Sequence, residues 1–83
     1  MLKIKVLGPG CANCQRLETL TKAVISEMAM DAEVIKVTDY ADIMKYPILS
    51  TPGLVVNEKV VVSGRVPTKA EITTFLANAM MEV

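Results

Sequence analysis

Apolar and polar residues alternate along Leu2-Lys3-Ile4-Lys5-Val6-Leu7, the period-two pattern of a strand with one buried face. Gly8-Pro9-Gly10 ends that pattern. From Cys11 the spacing becomes helical and continues to about Met30. Leu17, Leu20, Val24, Ile25 and Met28 form one apolar stripe there, and Gln15, Arg16, Glu18, Lys22 and Glu27 fill the other faces. Residues 33–38 are rich in β-branched types and predict a second strand. Asp39 is placed to cap a short helix over about 40–45, limited by Pro47 because the residue before a proline avoids the helical region. Residues 53–57 and 59–63 predict two valine-rich strands, with Asn57-Glu58 suited to a tight hairpin. Thr68 and Glu71 have the spacing of a capping box. Behind them Ile72, Phe75, Leu76, Ala79 and Met80 form the stripe of a final helix.

The predicted order is β-α-β-α-β-β-α. The first two strands pair in parallel through a crossover helix, and the hairpin completes a four-stranded mixed sheet. Helices on both faces cover it, which makes an α/β fold. The 83 residues suffice for one domain, 1–83. With one Phe, two Tyr and no Trp, its core is built from Val, Ile, Leu, Met and Ala.

Charge and hydropathy narrow the setting. Nine basic residues balance nine acidic ones without a run of either sign, so nothing points to nucleic acid or an anionic membrane as partner. No apolar run approaches the roughly 18 residues that span a bilayer. The start, Met1-Leu2-Lys3-Ile4-Lys5, lacks the apolar stretch of a signal peptide, so a cytoplasmic location is expected.

The two cysteines, Cys11 and Cys14, carry the chemistry. A bridge across four residues constrains the unfolded chain little, so the pair serves reaction rather than stability. The strand–Gly-Pro-Gly–Cys–helix order puts Cys11 at a helix N-terminus, where unpaired N–H groups and the macrodipole favour a thiolate, the nucleophilic form. Cys14 lies one turn further in and more shielded. That asymmetry suits an attacking and a resolving cysteine in thiol–disulfide exchange. Arg16 adds positive potential nearby or is simply a solvated residue of the helix.

Lys45-Tyr46-Pro47-Ile48-Leu49-Ser50-Thr51-Pro52, followed by valine-rich strands, resembles the thioredoxin segment around its cis-proline. Gly64, Thr68-Lys69 and the helix with Phe75-Leu76 look like the end of the same fold. With the CxxC helix, the resemblance spans nearly the whole chain. It is to the compact thioredoxin/glutaredoxin-like core, similar to small redox-active disulfide proteins of archaea and anaerobic bacteria. It implies a compact thioredoxin fold and a protein disulfide oxidoreductase with Cys11 and Cys14 as catalytic residues. Substrate binding would fall on Thr51 and Pro52, with Gly64 lining the same groove. Protein disulfides are the expected substrates, with a thioredoxin-reductase-like electron donor, no cofactor, no metal and a monomeric chain.

Several features depart from that family. Ala12-Asn13 separate the cysteines, no Trp precedes them, and Lys5 stands where thioredoxins carry a buried Asp. No histidine is present to act as a base in its place. Ser63-Gly64-Arg65-Val66-Pro67 lacks the acids with which glutaredoxins hold glutathione, which favours a protein substrate. Two other readings stay open. One is a Cu(I)-carrying domain, because Gly8-Pro9-Gly10-Cys11-Ala12-Asn13-Cys14 also resembles the loop of copper chaperones and soft thiolates suit that ion. The other is a binding module that keeps the fold without turnover.

Overall fold

A computed structural model describes residues 2–48 and 50–81; Leu49 of the proline-rich segment lies outside the described residues. The elements are β1 (Leu2–Leu7), α1 (Ala12–Glu27), β2 (Ala32–Val37), α2 (Tyr40–Ile43), β3 (Gly53–Val56), β4 (Lys59–Ser63) and α3 (Lys69–Met81). Their order is the one the patterning predicts. The sheet runs β2-β1-β3-β4, with β1 parallel to β2 and antiparallel to β3, and β3 antiparallel to β4. The fold is the compact, mixed-sheet thioredoxin arrangement.

The alternation in β1 sorts its side chains between two cores. Leu2, Ile4 and Val6 join Leu17, Val24, Ile72 and Leu76 in the larger core under α1 and α3. Leu7 faces the other side, against Ile43 of α2 and Val55. All four residues of β3 are buried, as befits a central strand covered on both faces. Ile4, Leu17, Ile72 and Leu76 have no exposed surface, and truncating any one to Ala would destabilise by about 2–5 kcal/mol.

Local chemistry sets the element ends. α1 stops at Glu27, three residues before the expected limit, because Ala29 takes φ 50° and closes a Schellman motif. Its bonds are Met30 N–H to Ile25 O at 3.0 Å and Ala29 N–H to Ser26 O at 3.2 Å. α2 is shorter than expected, one turn capped by Asp39 Oδ1 at 2.9 Å from Ala41 N. Asn57 and Glu58 take φ 50° and 69°, the paired positive values of a type I′ hairpin. Asn57 also pins that turn to β1, its N–H donating to Lys3 O at 2.8 Å and its Oδ1 accepting from Lys3 N at 3.1 Å.

The stripes need two corrections. Met28 and Met80, expected inside, are 38% and 51% exposed. Thr21, which the pattern left out of the stripe, is fully buried, with its hydroxyl donating to Leu17 O at 2.8 Å. A threonine that returns its hydroxyl to its own helix leaves only its methyl to pack, so it fits an apolar core.

Candidate active site

The reactive residues stand where β1 passes into α1. Gly8, the residue after β1, is still tied to β2, its N–H donating to Val37 O at 2.9 Å. Gly10 then takes φ +98°, a conformation L side chains rarely adopt, and turns the chain into the helix. Cys11 is the N-cap of α1, extended at φ −67° and ψ 167°. Its Sγ accepts a hydrogen bond from Cys14 N–H at 3.2 Å, the part usually taken by a Ser or Asp oxygen. Gln15 ties the loop to the first turn, its side-chain amide donating to Gly10 O at 3.3 Å.

The two sulfurs are bonded to one another, with Cα atoms 5.0 Å apart. Cys11 is exposed, whereas Cys14 is 5% exposed and lies over Gly8. No acidic residue occupies the first turn of α1, so nothing there opposes negative charge on the outer sulfur.

The loop before β3 comes to the same place. The Thr51–Pro52 peptide bond is cis, and Pro52 is fully buried. Thr51 borders Gly8, so Cys14 and the cis-proline loop meet across that glycine. Gly64, at φ +80°, donates its N–H to Pro52 O at 2.8 Å and continues the β3–β4 pairing by one step. A side chain at Gly64 would come within 2.5 Å of Ser50 Oγ, so its small size keeps the two loops together. On the other side of Thr51 opens a groove of about 500 Å³, lined by Tyr40, Ile43, Met44, Ile48, Ser50 and Thr51. Tyr40 and Met44 are 61% and 78% exposed on its rim.

Lys5 is elsewhere. Its Nζ donates to Glu58 Oε1 at 2.6 Å and to Tyr46 Oη at 2.8 Å, and sits 5.5 Å from the centre of the Tyr46 ring. The Glu58 carboxylate, then the Tyr46 hydroxyl, push its ammonium above the usual lysine range. The position that carries a buried acid in thioredoxins therefore holds a cation turned to the hairpin and α2.

An acid does approach Cys14, from another position. Glu18, one turn along α1, shares with Cys14 a cavity of about 60 Å³, bounded also by Val6, Gly8, Lys36 and Thr38. Its carboxylate bonds Lys22 Nζ at 2.9 Å and faces Lys36 Nζ at 3.5 Å, and Lys22 foremost holds it below the usual carboxylate range. In the sequence Glu18 reads only as a polar helix residue. The available signal was its i,i+4 spacing from Cys14, which places two side chains on one helix face. Among the described residues, no three His, Cys, Asp or Glu side chains gather around a metal-sized site.

A mixed four-stranded sheet with a vicinal cysteine pair at the N-terminus of its crossover helix defines a dithiol redox protein. Comparison with known proteins gives the family. The family model described as the thioredoxin domain matches residues 2–77. A thioredoxin of Methanothermobacter thermautotrophicus is 38% identical over 77 residues, which is 93% of this chain and 100% of that protein. A thioredoxin of Methanocaldococcus jannaschii is 33% identical over 72 residues, 87% of this chain and 83% of that protein. The chain belongs to the thioredoxin family, and with Cys11 and Cys14 at CxxC spacing it is a thiol–disulfide oxidoreductase. The family membership sets aside the copper-carrier reading.

Proposed function

We propose that the chain reduces protein disulfides, with Cys11 as the attacking thiolate and Cys14 as the resolving thiol. The observation that carries this is the asymmetry of the pair: Cys11 is exposed at the helix N-cap, and Cys14 is 5% exposed behind it. In the first step Cys11 Sγ bonds to one substrate sulfur and the substrate S–S bond breaks; the departing thiolate takes a proton. In the second, Cys14 loses its proton and attacks Cys11 Sγ. The Cys11–Cys14 bond forms, and the second substrate sulfur leaves as a thiolate and is protonated. The substrate gains two electrons and two protons, and the pair is oxidised.

Thr51 and Pro52 are read as the edge along which an extended substrate segment lies, with Gly64 leaving room beside it. The groove next to Thr51 supports a polypeptide over glutathione as substrate, because glutathione carries no apolar side chain to set against Ile43, Met44 and Ile48. The proposal has the chain working as a monomer in the cytoplasm. There a reductase of thioredoxin-reductase type returns two electrons to the bridge.

Trapping tests the two roles. Cys14→Ser, mixed with a disulfide-bonded protein such as insulin, is expected to accumulate a mixed disulfide at Cys11, seen by mass under non-reducing conditions. Cys11→Ser is expected to show neither adduct nor reduction. An adduct at Cys14, or reduction that survives loss of Cys11, would reverse the assignment.

A further inference from the structure

We propose that Gly8 is a positioning residue for the redox reaction: its missing side chain is the seat of the Cys14 sulfur, and that vacancy favours the disulfide over the dithiol. The inference rests on the reading of Cys11 and Cys14 as the cycling pair.

Three of the chain's glycines lie near the site, and they are glycine for different reasons. Gly10 and Gly64 have positive φ, so the backbone asks for glycine there. Gly8 is not in that region; it is the residue just after β1, and its N–H is bonded to Val37 O. What it lacks is space. A Cβ on Gly8 would overlap Cys14 Sγ and stand 3.2 Å from Cys14 Cβ. By contrast, a Cβ on Gly10 would meet nothing within 4 Å.

The overlap falls unequally on the two redox states. In the disulfide, Cys14 Sγ is bonded to Cys11 and cannot leave its place over Gly8. In the dithiol, Cys14 can turn about its Cα–Cβ bond. The cavity of about 60 Å³ that Cys14 lines together with Val6, Gly8, Glu18 and Lys36 is the space into which the proposal turns the displaced sulfur. A side chain at position 8 therefore strains the oxidised form and leaves the reduced form a way out. Position 8 is thus a control on the oxidising strength of the pair, acting through Cys14 and not on the substrate. Thr51 borders the same point, so the seat also fixes how closely the resolving sulfur lies to the cis-proline loop.

The test equilibrates wild type, Gly8→Ala and Gly10→Ala with reduced and oxidised glutathione, then traps free thiols with acid and an alkylating agent. The balanced reaction is the dithiol chain plus one oxidised glutathione giving the bridged chain plus two reduced glutathiones. Gly8→Ala is expected to lower its equilibrium constant about tenfold, or about 30 mV for two electrons. It should also lower the melting temperature of the oxidised form more than that of the reduced form. Gly10→Ala, whose strain is in the backbone, should destabilise both forms alike and leave the constant unchanged. An unchanged constant in Gly8→Ala, or an equal shift in Gly10→Ala, overturns the seat while wild type still cycles. Wild type that forms no reversible bridge overturns the cycling pair, and the seat falls with it. If Gly8→Ala does not fold, combining it with Cys14→Ala, which removes the sulfur and keeps only the Cβ 3.2 Å away, must restore folding and most of the melting temperature of Cys14→Ala alone. Failure of that rescue overturns the proposal.

Discussion

The two long helices begin in opposite ways. α3 starts with a complete capping box: Thr68 Oγ1 accepts from Glu71 N at 3.1 Å, and Glu71 Oε1 accepts from Thr68 N at 3.1 Å. Arg65 closes it further, its two guanidinium nitrogens bonding the Glu71 carboxylate at 3.0 and 2.6 Å. α1 starts with a cysteine as cap, has no acid in its first turn, and offers the Cys14 N–H to a sulfur. Both ends present the same backbone donors and the same positive end of a helix dipole. In α3 an acid already occupies that potential and serves stability. In α1 the potential is left for the charge that appears on sulfur when the bridge opens. On the proposed role of Cys11 as the attacking thiolate, the weaker cap trades local stability for stabilisation of that charge.

Exchanging the caps would break this contrast most severely. Cys11→Asp gives α1 a carboxylate cap like the acid of α3. Disulfide reduction is expected to fall to background, while the variant melts at or above the temperature of reduced wild type, since Asp is a strong N-cap. A melting temperature well below that of the reduced protein would show that Cys11 does more for the fold than cap the helix.

A smaller change keeps the sulfur and introduces an acid. Asn13→Asp puts a carboxylate in the first turn of α1. An interaction of about 0.3–1 kcal/mol with the helix end is then drawn to the new carboxylate and away from the thiolate. Alkylation of reduced Cys11 at neutral pH should slow about two- to fivefold, with greater slowing at low salt than at high salt. Equal rates in the two proteins would mean that the helix end does not govern the reactivity of Cys11.

Thr68→Ala opens the other cap. It should destabilise the fold by about 1 kcal/mol and lower the melting temperature by about 4–8 °C. The alkylation rate of Cys11 should not change, because the effect is confined to α3.

The last prediction concerns pH. Arg65 first, and the Thr68 N–H next, lower the Glu71 pKa from 4.5 to about 2. A group with a depressed folded value contributes stability that is fully present above its unfolded value and is lost as pH falls through the folded one. The stability gap between wild type and Glu71→Gln should therefore be constant above about pH 5 and shrink between pH 4.5 and 2. Glu71 is exposed enough that salt should reduce the gap. A gap that widens on acidification would contradict the cap pairing.

Much of this could be read from the chain because it depends on neighbours in sequence. The Thr68–Glu71 box, the Asn57-Glu58 turn and the cysteine at the head of α1 are set by spacings of one to four residues. Backbone geometry converts such spacings directly into contacts. Helix faces were less legible. Met28 and Met80 fit the apolar stripes, but Met28 falls at the C-cap beyond α1 and Met80 near the end of α3, and both are exposed, while Thr21 is polar by type yet buried because its hydroxyl is satisfied within its own helix.

The sequence by itself determined the order of strands and helices, the caps, and the place of Cys11 at a helix N-terminus. Each follows from hydrophobic period or from a short-range hydrogen bond. Only the tertiary structure decided which residues surround the second sulfur. Gly8 and Thr51 lie 43 positions apart and meet beside Cys14 because β1 pairs with β3. Lys5 faces Glu58 and Tyr46 because the pleat turns it toward α2. Glu18 reaches Lys36 because α1 packs back on the parallel pair β1–β2. Such contacts depend on chain segments far apart in sequence, and local patterning carries no record of how closely two segments will approach.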